Sequence, residues 1–402
     1  MTIEISEYGK EFLKLALRID KLNKGYVDYY IGPEDILQIV TNESKTSPNK
    51  LLNDANTLIK QVNNQGYDKS RERYLLKTLT SMKTMVELLL GYEIPFSELM
   101  FKLHDIKIQP IDDSEFYKLK EDFDNAYEGS GSLETRMKEL RILREIPGKY
   151  VYKLFSRALE IVRDRTKKIF TDLLPEEEHL TLKLVEQNEN EFNWSYYEWY
   201  LGNYCSRIEV NPNLNMYWTS FLYGSAHEGY HGHHTEFVLK ELLYQKLSQF
   251  EHSLLFFNSP KIIISEGIGV LAVNMLFNYR EQAEIGLNEF CLNRLQEDSL
   301  DKLTYQNSIR RRANYIIFNL GYYAHVEKWS KEKLFRYANS FEIYSEKDIK
   351  NRMKILDDPV LSTTSFSYYS GSKLIVDKYG EFPQIQQFEE LLRKPILPSD
   401  LV

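Results

Sequence analysis

Apolar residues recur at helical spacing along much of the chain. Tyr8, Phe12, Leu15, Ile19 and Leu22 share one helix face, with Ser6 placed to cap its start and Gly25 beyond its end. Leu75, Leu79, Met82, Val86 and Leu89 make a second stripe, closed by Gly91. Such stripes predict amphipathic helices packed on a common core. Between them, Tyr26 to Pro33 reads as a rigid connecting turn. A period of two appears at Arg207-Ile208-Glu209-Val210-Asn211, ahead of Pro212, and predicts a short strand. The run from Ile262 to Phe277 is largely apolar, with Glu266 inside it. Glu128-Gly129-Ser130-Gly131-Ser132 reads as a flexible loop and a soft boundary near 128–135. The pattern predicts a mainly α-helical single domain over residues 1–402 with one small β-sheet. A cleft is expected between an N-terminal helical half and a C-terminal half, about 195–402, that carries the site.

Composition narrows the partners. The 402 residues can bury a large core, and 43% hydrophobic with 27% charged residues suits a soluble globular chain. A net charge of −8 gives no general basic footprint, so neither nucleic acid nor anionic membrane is an expected partner. Two cysteines, Cys205 and Cys291, are too few for a disulfide framework. The start, Met1 to Glu7, is acidic and alternating, unlike a secretory signal, and no long apolar run marks a membrane span. The expected location is the cytoplasm.

The candidate chemistry is concentrated in His227-Glu228-Gly229-Tyr230-His231-Gly232-His233-His234, which holds four of the eight histidines. Its first five residues read H-E-x-x-H. On a continuous helix, His227 and His231 would face one ion, and Glu228 would stand beside it as a general base. That is a zinc hydrolase signature, most often a peptidase. No cysteine lies nearby to build a closed structural site. A carboxylate inside an apolar helix needs a partner or a metal, so Glu266 is the candidate third ligand. Ser225 or Thr219 is placed to cap the helix that carries the cluster. His234 is read as a packing or supporting residue. A hydrolase of another amide or ester, or a binding protein with a vestigial site, would carry the same signature.

The stretch from Trp194 to Phe237, with the Glu266 segment, resembles the family called domain of unknown function 885. That family is itself similar to the helical zinc peptidases of the thimet-oligopeptidase and thermostable-carboxypeptidase group. Its signature, H-E-x-x-P-G-H-H followed by E-G-W-A, is matched here at His227, Glu228, Gly232, His233, His234, Glu266 and Gly267. Gly25-Tyr26-Val27-Asp28-Tyr29-Tyr30-Ile31-Gly32-Pro33 is similar to a G-x-V-D-x-Y-x-G-P pattern of some members. The departures are His231 where the family has Pro, and Ile268 and Gly269 where it has Trp and Ala. A family with Pro at that position cannot use it as a ligand. The resemblance therefore implies His233 as the second ligand, whereas plain helical spacing names His231. The glycine at 232 offers a place for the helix to break and bring His233 round.

The resemblance implies a helical zincin-like architecture, one Zn²⁺ held by His227, His233 and Glu266, and a peptide substrate. Glu228 would act as general base. A hydrogen-bond donor to the developing oxyanion is sought in Ser367-Tyr368-Tyr369-Ser370-Gly371. The family's Y-x-G implies Tyr369, with Tyr368 as the substitute that could also contact substrate. Arg207 and Asn211, on the predicted strand, are candidates to meet the substrate backbone. Arg352, or one of Arg310, Arg311 and Arg312, is the candidate for a substrate carboxylate. His325 is either a cleft residue or a core one.

Overall fold

The structure is a computed structural model that describes residues 4–186, 194–292 and 299–402. Met1 to Ile3, part of the acidic start discussed above, lie outside the described residues. Helices dominate. The N-terminal half carries α1 (Glu7–Leu22), α2 (Glu34–Asn42), α3 (Pro48–Gln61), α4 (Lys69–Leu89), α5 (Phe96–His104), α6 (Asp113–Ala126), α7 (Leu133–Arg144) and α8 (Gly148–Ile169). The C-terminal half carries α9 (Phe221–Glu228), α10 (His233–Leu247), α11 (Pro260–Leu276), α12 (Tyr279–Ile285), α13 (Leu300–Arg310) and α14 (Asn314–His325). It ends with α15 (Lys331–Asn339), α16 (Glu346–Ile355), α17 (Pro359–Ser362), α18 (Ser367–Tyr379) and α19 (Ile385–Arg393).

The stripes become helices where their caps say. Ser6 accepts a hydrogen bond from the Gly9 N–H at the start of α1, and Gly25 and Gly91 turn the chain at φ of 86° and 83°. The connecting turn is corrected in one respect. Val27–Tyr30 is a strand, β1, paired antiparallel with β5 (Leu254–Phe256). Its partner is too remote in the chain for local pattern to show it. The Glu128–Gly131 segment joins α6 to α7, and both helices pack into one cluster with α13 to α16.

The predicted strand is β4 (Cys205–Val210), the centre of a three-stranded sheet. It runs parallel to β2 (His179–Leu184) and antiparallel to β3 (Tyr196–Gly202). At the heart of the molecule lies α11. It packs against α4, α5, α8, α9, α10, α18 and α19, and nearly every residue from Pro260 to Leu276 is buried. A helix that is apolar all round belongs in a core. Among the described residues, no single helix is long and apolar enough to cross a membrane.

Two glycines set the crossing of α11 and α18. A Cβ built on Gly371 would lie 1.9 Å from the Ile263 carbonyl oxygen and 2.7 Å from the Gly267 nitrogen. Only bare backbone allows this approach. Its product is local: Glu266, beside Gly267, is brought against Tyr368, one turn before Gly371.

Candidate metal centre

The H-E-x-x-H segment is not one helix. α9 ends at Glu228, and α10 begins at His233. Between them Gly229 and Gly232 leave the helical region, with ψ of −120° and −140°, and His231 sits at φ 75°. A left-handed residue with a Cβ costs roughly 1–2 kcal/mol. Here it is offset by hydrogen bonds from the His231 N–H to Thr235 Oγ1 at 2.8 Å and between its Nδ1 and Thr166 Oγ1 at 2.9 Å. The bend leaves no room for a side chain at 232, where a Cβ would lie 1.9 Å from the His227 carbonyl oxygen.

Because the helix breaks, His231 is carried away from His227. Its ring is fully buried beside Phe170 and Phe388, and burial pushes its pKa down to about 3. His231 is thus corrected from possible ligand to core residue. The side chains that converge are His227, His233 and Glu266, with one donor atom from each within 4.8 Å of the others. Glu266 Oε2 lies 3.5 Å from His227 Nε2 and 4.0 Å from His233 Nε2. A tetrahedral zinc ion with bonds of about 2.0–2.1 Å spaces its donors roughly 3.3 Å apart. Glu266 Oε2 is also buried without a hydrogen-bond partner, as a carboxylate oxygen kept for an ion would be. The donor set fits Zn²⁺.

Each histidine is oriented from behind. Ser265 Oγ donates to Glu236 at 2.6 Å and faces His233 Nδ1 at 3.2 Å. Ser265 therefore accepts from Nδ1–H, which leaves the Nε2 lone pair toward the cluster. His227 Nδ1 faces the Tyr223 hydroxyl at 3.3 Å, and its ring lies against Gly269. A Cβ at 269 would sit 2.7 Å from that ring, which gives the departure from alanine at this position a physical reason.

Glu228 stands beside the cluster, its Oε1 4.0 Å from His227 Nε2. Burial pushes its carboxyl up to about 7, with Glu266 adding to the rise and His227 opposing it. The Glu198 backbone N–H, on the free edge of β3, partly offsets the rise. Burial alone would raise Glu266, but the neighbouring histidines and Tyr368 hold it below its usual value.

Of the two tyrosines, Tyr368 rather than Tyr369 lies at the cluster. Tyr369 packs against Phe318 at 4.3 Å and Tyr315 at 4.6 Å between ring centroids, in the core. Tyr368 faces Glu266, whose carboxyl its hydroxyl helps to hold down, and lies over His227, centroids 6.1 Å apart. The Glu266 charge, with burial, raises its hydroxyl well above the usual tyrosine value.

The strand residues also fall elsewhere. Ser206 bonds His234, and Ile208 approaches Gly229. By alternation Arg207 lies on the opposite face, where it pairs with Glu209 at 3.0 Å. Asn211 is buried and caps the turn at Asn213. The strand edge at the site belongs to β3. Neither proposed cap acts as one: Ser225 Oγ bonds the Leu222 carbonyl, and α9 starts after a short turn at Trp218–Ser220 that contains Thr219. His325 stacks on Phe96 in the core. Arg352, Arg310 and Arg311 line a cleft that also touches Tyr223, one turn before His227, and Arg312 pairs with Asp122.

His234 is a structural residue. Its Nδ1 meets Ser206 Oγ at 2.7 Å and its Nε2 meets Glu178 at 3.2 Å. Burial would raise Glu178, but His234, Arg163 and Tyr230 outweigh it and hold the carboxyl at about 2. A depressed carboxylate contributes stability that is complete above its unfolded value of 4.5 and lost as pH falls through 2. Glu178→Gln should lower stability near neutral pH by up to about 3 kcal/mol, less as far as His234, whose pKa burial lowers, is neutral there. It should also flatten the loss between those two pH values, as read by urea unfolding across pH. An unchanged acid limb would refute the assignment.

Several supporting residues escaped the sequence reading. Tyr223 lies one turn before His227, so helical spacing was a usable signal. Glu236, one turn after His233, and Ser265, next to Glu266, stand close in sequence to candidate ligands. Glu198 gave no signal, because only the sheet brings β3 to α9.

No protein-family model matches the chain, and no curated protein matches it. Among solved structures, a candidate lipoprotein from Colwellia psychrerythraea aligns at a TM-score of 0.53 with 12% identity, over 92% of this chain and 68% of that one. A candidate lipoprotein of unknown function from Shewanella oneidensis aligns at 0.47 with 14% identity, over 98% and 81%. The first likeness is one of fold alone.

Proposed function

We propose that the protein is a zinc-dependent metallopeptidase of helical zincin-like architecture, acting on short peptides as a carboxypeptidase or oligopeptidase. One observation carries the reading: donor atoms of His227, His233 and Glu266 lie within 4.8 Å of one another, with the Glu228 carboxylate alongside. Two imidazoles and one carboxylate form the ligand set of catalytic zinc sites that keep a position open. When bound, zinc polarises a peptide carbonyl and acidifies a water molecule. Glu228, buried beside the cluster, takes a proton from the attacking water and hands it to the leaving amine. Tyr368 donates its hydroxyl to the carbonyl oxygen as negative charge develops there. The free edge of β3 offers backbone groups along which an extended peptide can align. The likeness of the motifs to the domain of unknown function 885 family supports the same ligand set.

Elemental analysis of purified protein should find about one zinc per chain, in line with one donor set. A peptide mixture read by mass spectrometry should be cleaved, with cleavage stopped by a chelator and restored by added zinc. Protein that takes up no zinc, or zinc-loaded protein that cleaves nothing, sinks the reading.

A further inference from the structure

We propose that the cleft one helical turn from the His227–His233–Glu266 cluster receives a peptide segment bearing at least two carboxylates, its C-terminal carboxylate among them. The inference deepens the peptidase reading and rests on it for cleavage, though not for binding.

The cleft has a volume of about 390 Å³, within the range of roughly 300–1,000 Å³ typical of ligand pockets. Its walls hold Arg141, Arg144, Arg310, Arg311 and Arg352 and no Asp or Glu. Composition does not account for this, since acidic residues outnumber Lys and Arg by 59 to 51 over the whole chain. The cleft comes within one helical turn of the cluster on both α9 and α11. Tyr223, one turn before His227 on α9, and Val270, one turn after Glu266 on α11, both line it. A segment lying in the cleft therefore starts within one helical turn of the candidate ligands.

The arginines divide by their partners. Arg311 is held by Glu381 at 2.8 Å and by the Tyr315 hydroxyl, and Arg141 lies 3.5 Å from Asp348. Arg310 donates to the Thr219 carbonyl at 2.9 Å and lies 5.9 Å from the Tyr223 ring. Arg352 lies 4.7 Å over the Tyr344 ring. Among the described residues, neither Arg310 nor Arg352 has a carboxylate within 4.0 Å. Each is backed by an aromatic face and keeps donors for a planar anion. A neutral segment would desolvate these guanidinium groups without replacing the water. One terminal carboxylate satisfies one fork, and the second calls for an acidic side chain. With Arg311 and Arg141 balanced by carboxylates, Arg310 and Arg352 leave the cleft net positive, which draws an incoming anion.

The test uses triglutamate and triglutamine as probes, titrated calorimetrically into the full chain at low and high salt. Triglutamate should bind at least about tenfold tighter, as a charged hydrogen bond implies, with the margin shrinking in high salt. The double variant Arg310→Gln, Arg352→Gln should lose that preference, while Arg312→Gln, outside the cleft, should keep it. Equal binding of the two probes overturns the proposal, as does a double variant that keeps the preference. Should the double variant melt early, the single exchanges Arg310→Lys and Arg352→Lys keep charge but lose the fork. Each must then weaken triglutamate, and unchanged binding again overturns the proposal. Arginine-dependent triglutamate binding by a protein that cleaves no peptide would leave this inference standing and remove the peptidase reading.

Discussion

Glu228→Gln is expected to lower peptide turnover by roughly 10²–10⁴-fold, the usual contribution of a general base, and to leave zinc content unchanged. The glutamine keeps the shape of the side chain and its approach to the Glu198 N–H, but it cannot accept a proton. Glu228 is not one of the three converging donors, so metal retention separates a base from a ligand. The measurement is kcat/KM on a cleavable peptide beside elemental analysis of the same sample. Turnover within a few-fold of wild type would remove Glu228 from the mechanism, and lost zinc would recast it as a ligand. The adjacent tyrosines provide an internal comparison in the same assay. Tyr368→Phe should reduce kcat with zinc retained, because its hydroxyl meets Glu266 at the cluster. Tyr369→Phe should not, because that ring packs against Phe318 and Tyr315.

Gly371→Ala is expected to destabilise the fold by roughly 3 kcal/mol or more, at the upper end for overpacking. The added methyl would meet the Ile263 carbonyl at 1.9 Å and the Gly267 nitrogen at 2.7 Å. Both are main-chain atoms of α11, so no rotamer change relieves the clash, and the two helices must part. Parting them draws Tyr368 away from Glu266, so zinc affinity should fall with the melting temperature. Thermal unfolding and a competitive zinc titration check both effects. A variant that melts with the wild type and binds zinc equally would show that the crossing does not hold the site.

Elements whose signal is local were readable from the chain. The α1 and α4 stripes, the β4 alternation and the apolar α11 carry their partners' demands in their own spacing. β1 was read as a turn because its partner β5 lies more than two hundred residues away. The ligand pair turned on one question of the same kind. Helical spacing names His231 only if the helix continues, and Gly232 was the visible hint that it does not. The choice between Tyr368 and Tyr369 was not local either. Adjacent helical residues point about 100° apart, and which of them meets Glu266 is decided by the Gly267–Gly371 contact. Arg207 was placed at the site because a strand was predicted there, but the exposed edge fell to β3. Only the assembled sheet determines that order.

The break after Glu228 has a consequence for anyone wishing to transplant this motif. Moved onto an unbroken designed helix, the octapeptide would set the imidazoles of residues 227 and 231 side by side and turn that of 233 roughly 120° away. The graft would assemble a different ligand pair from the one the native chain gathers. What would have to travel with the histidines is the kink itself, together with Thr166, Thr235 and the ring of Phe388, which stabilise it.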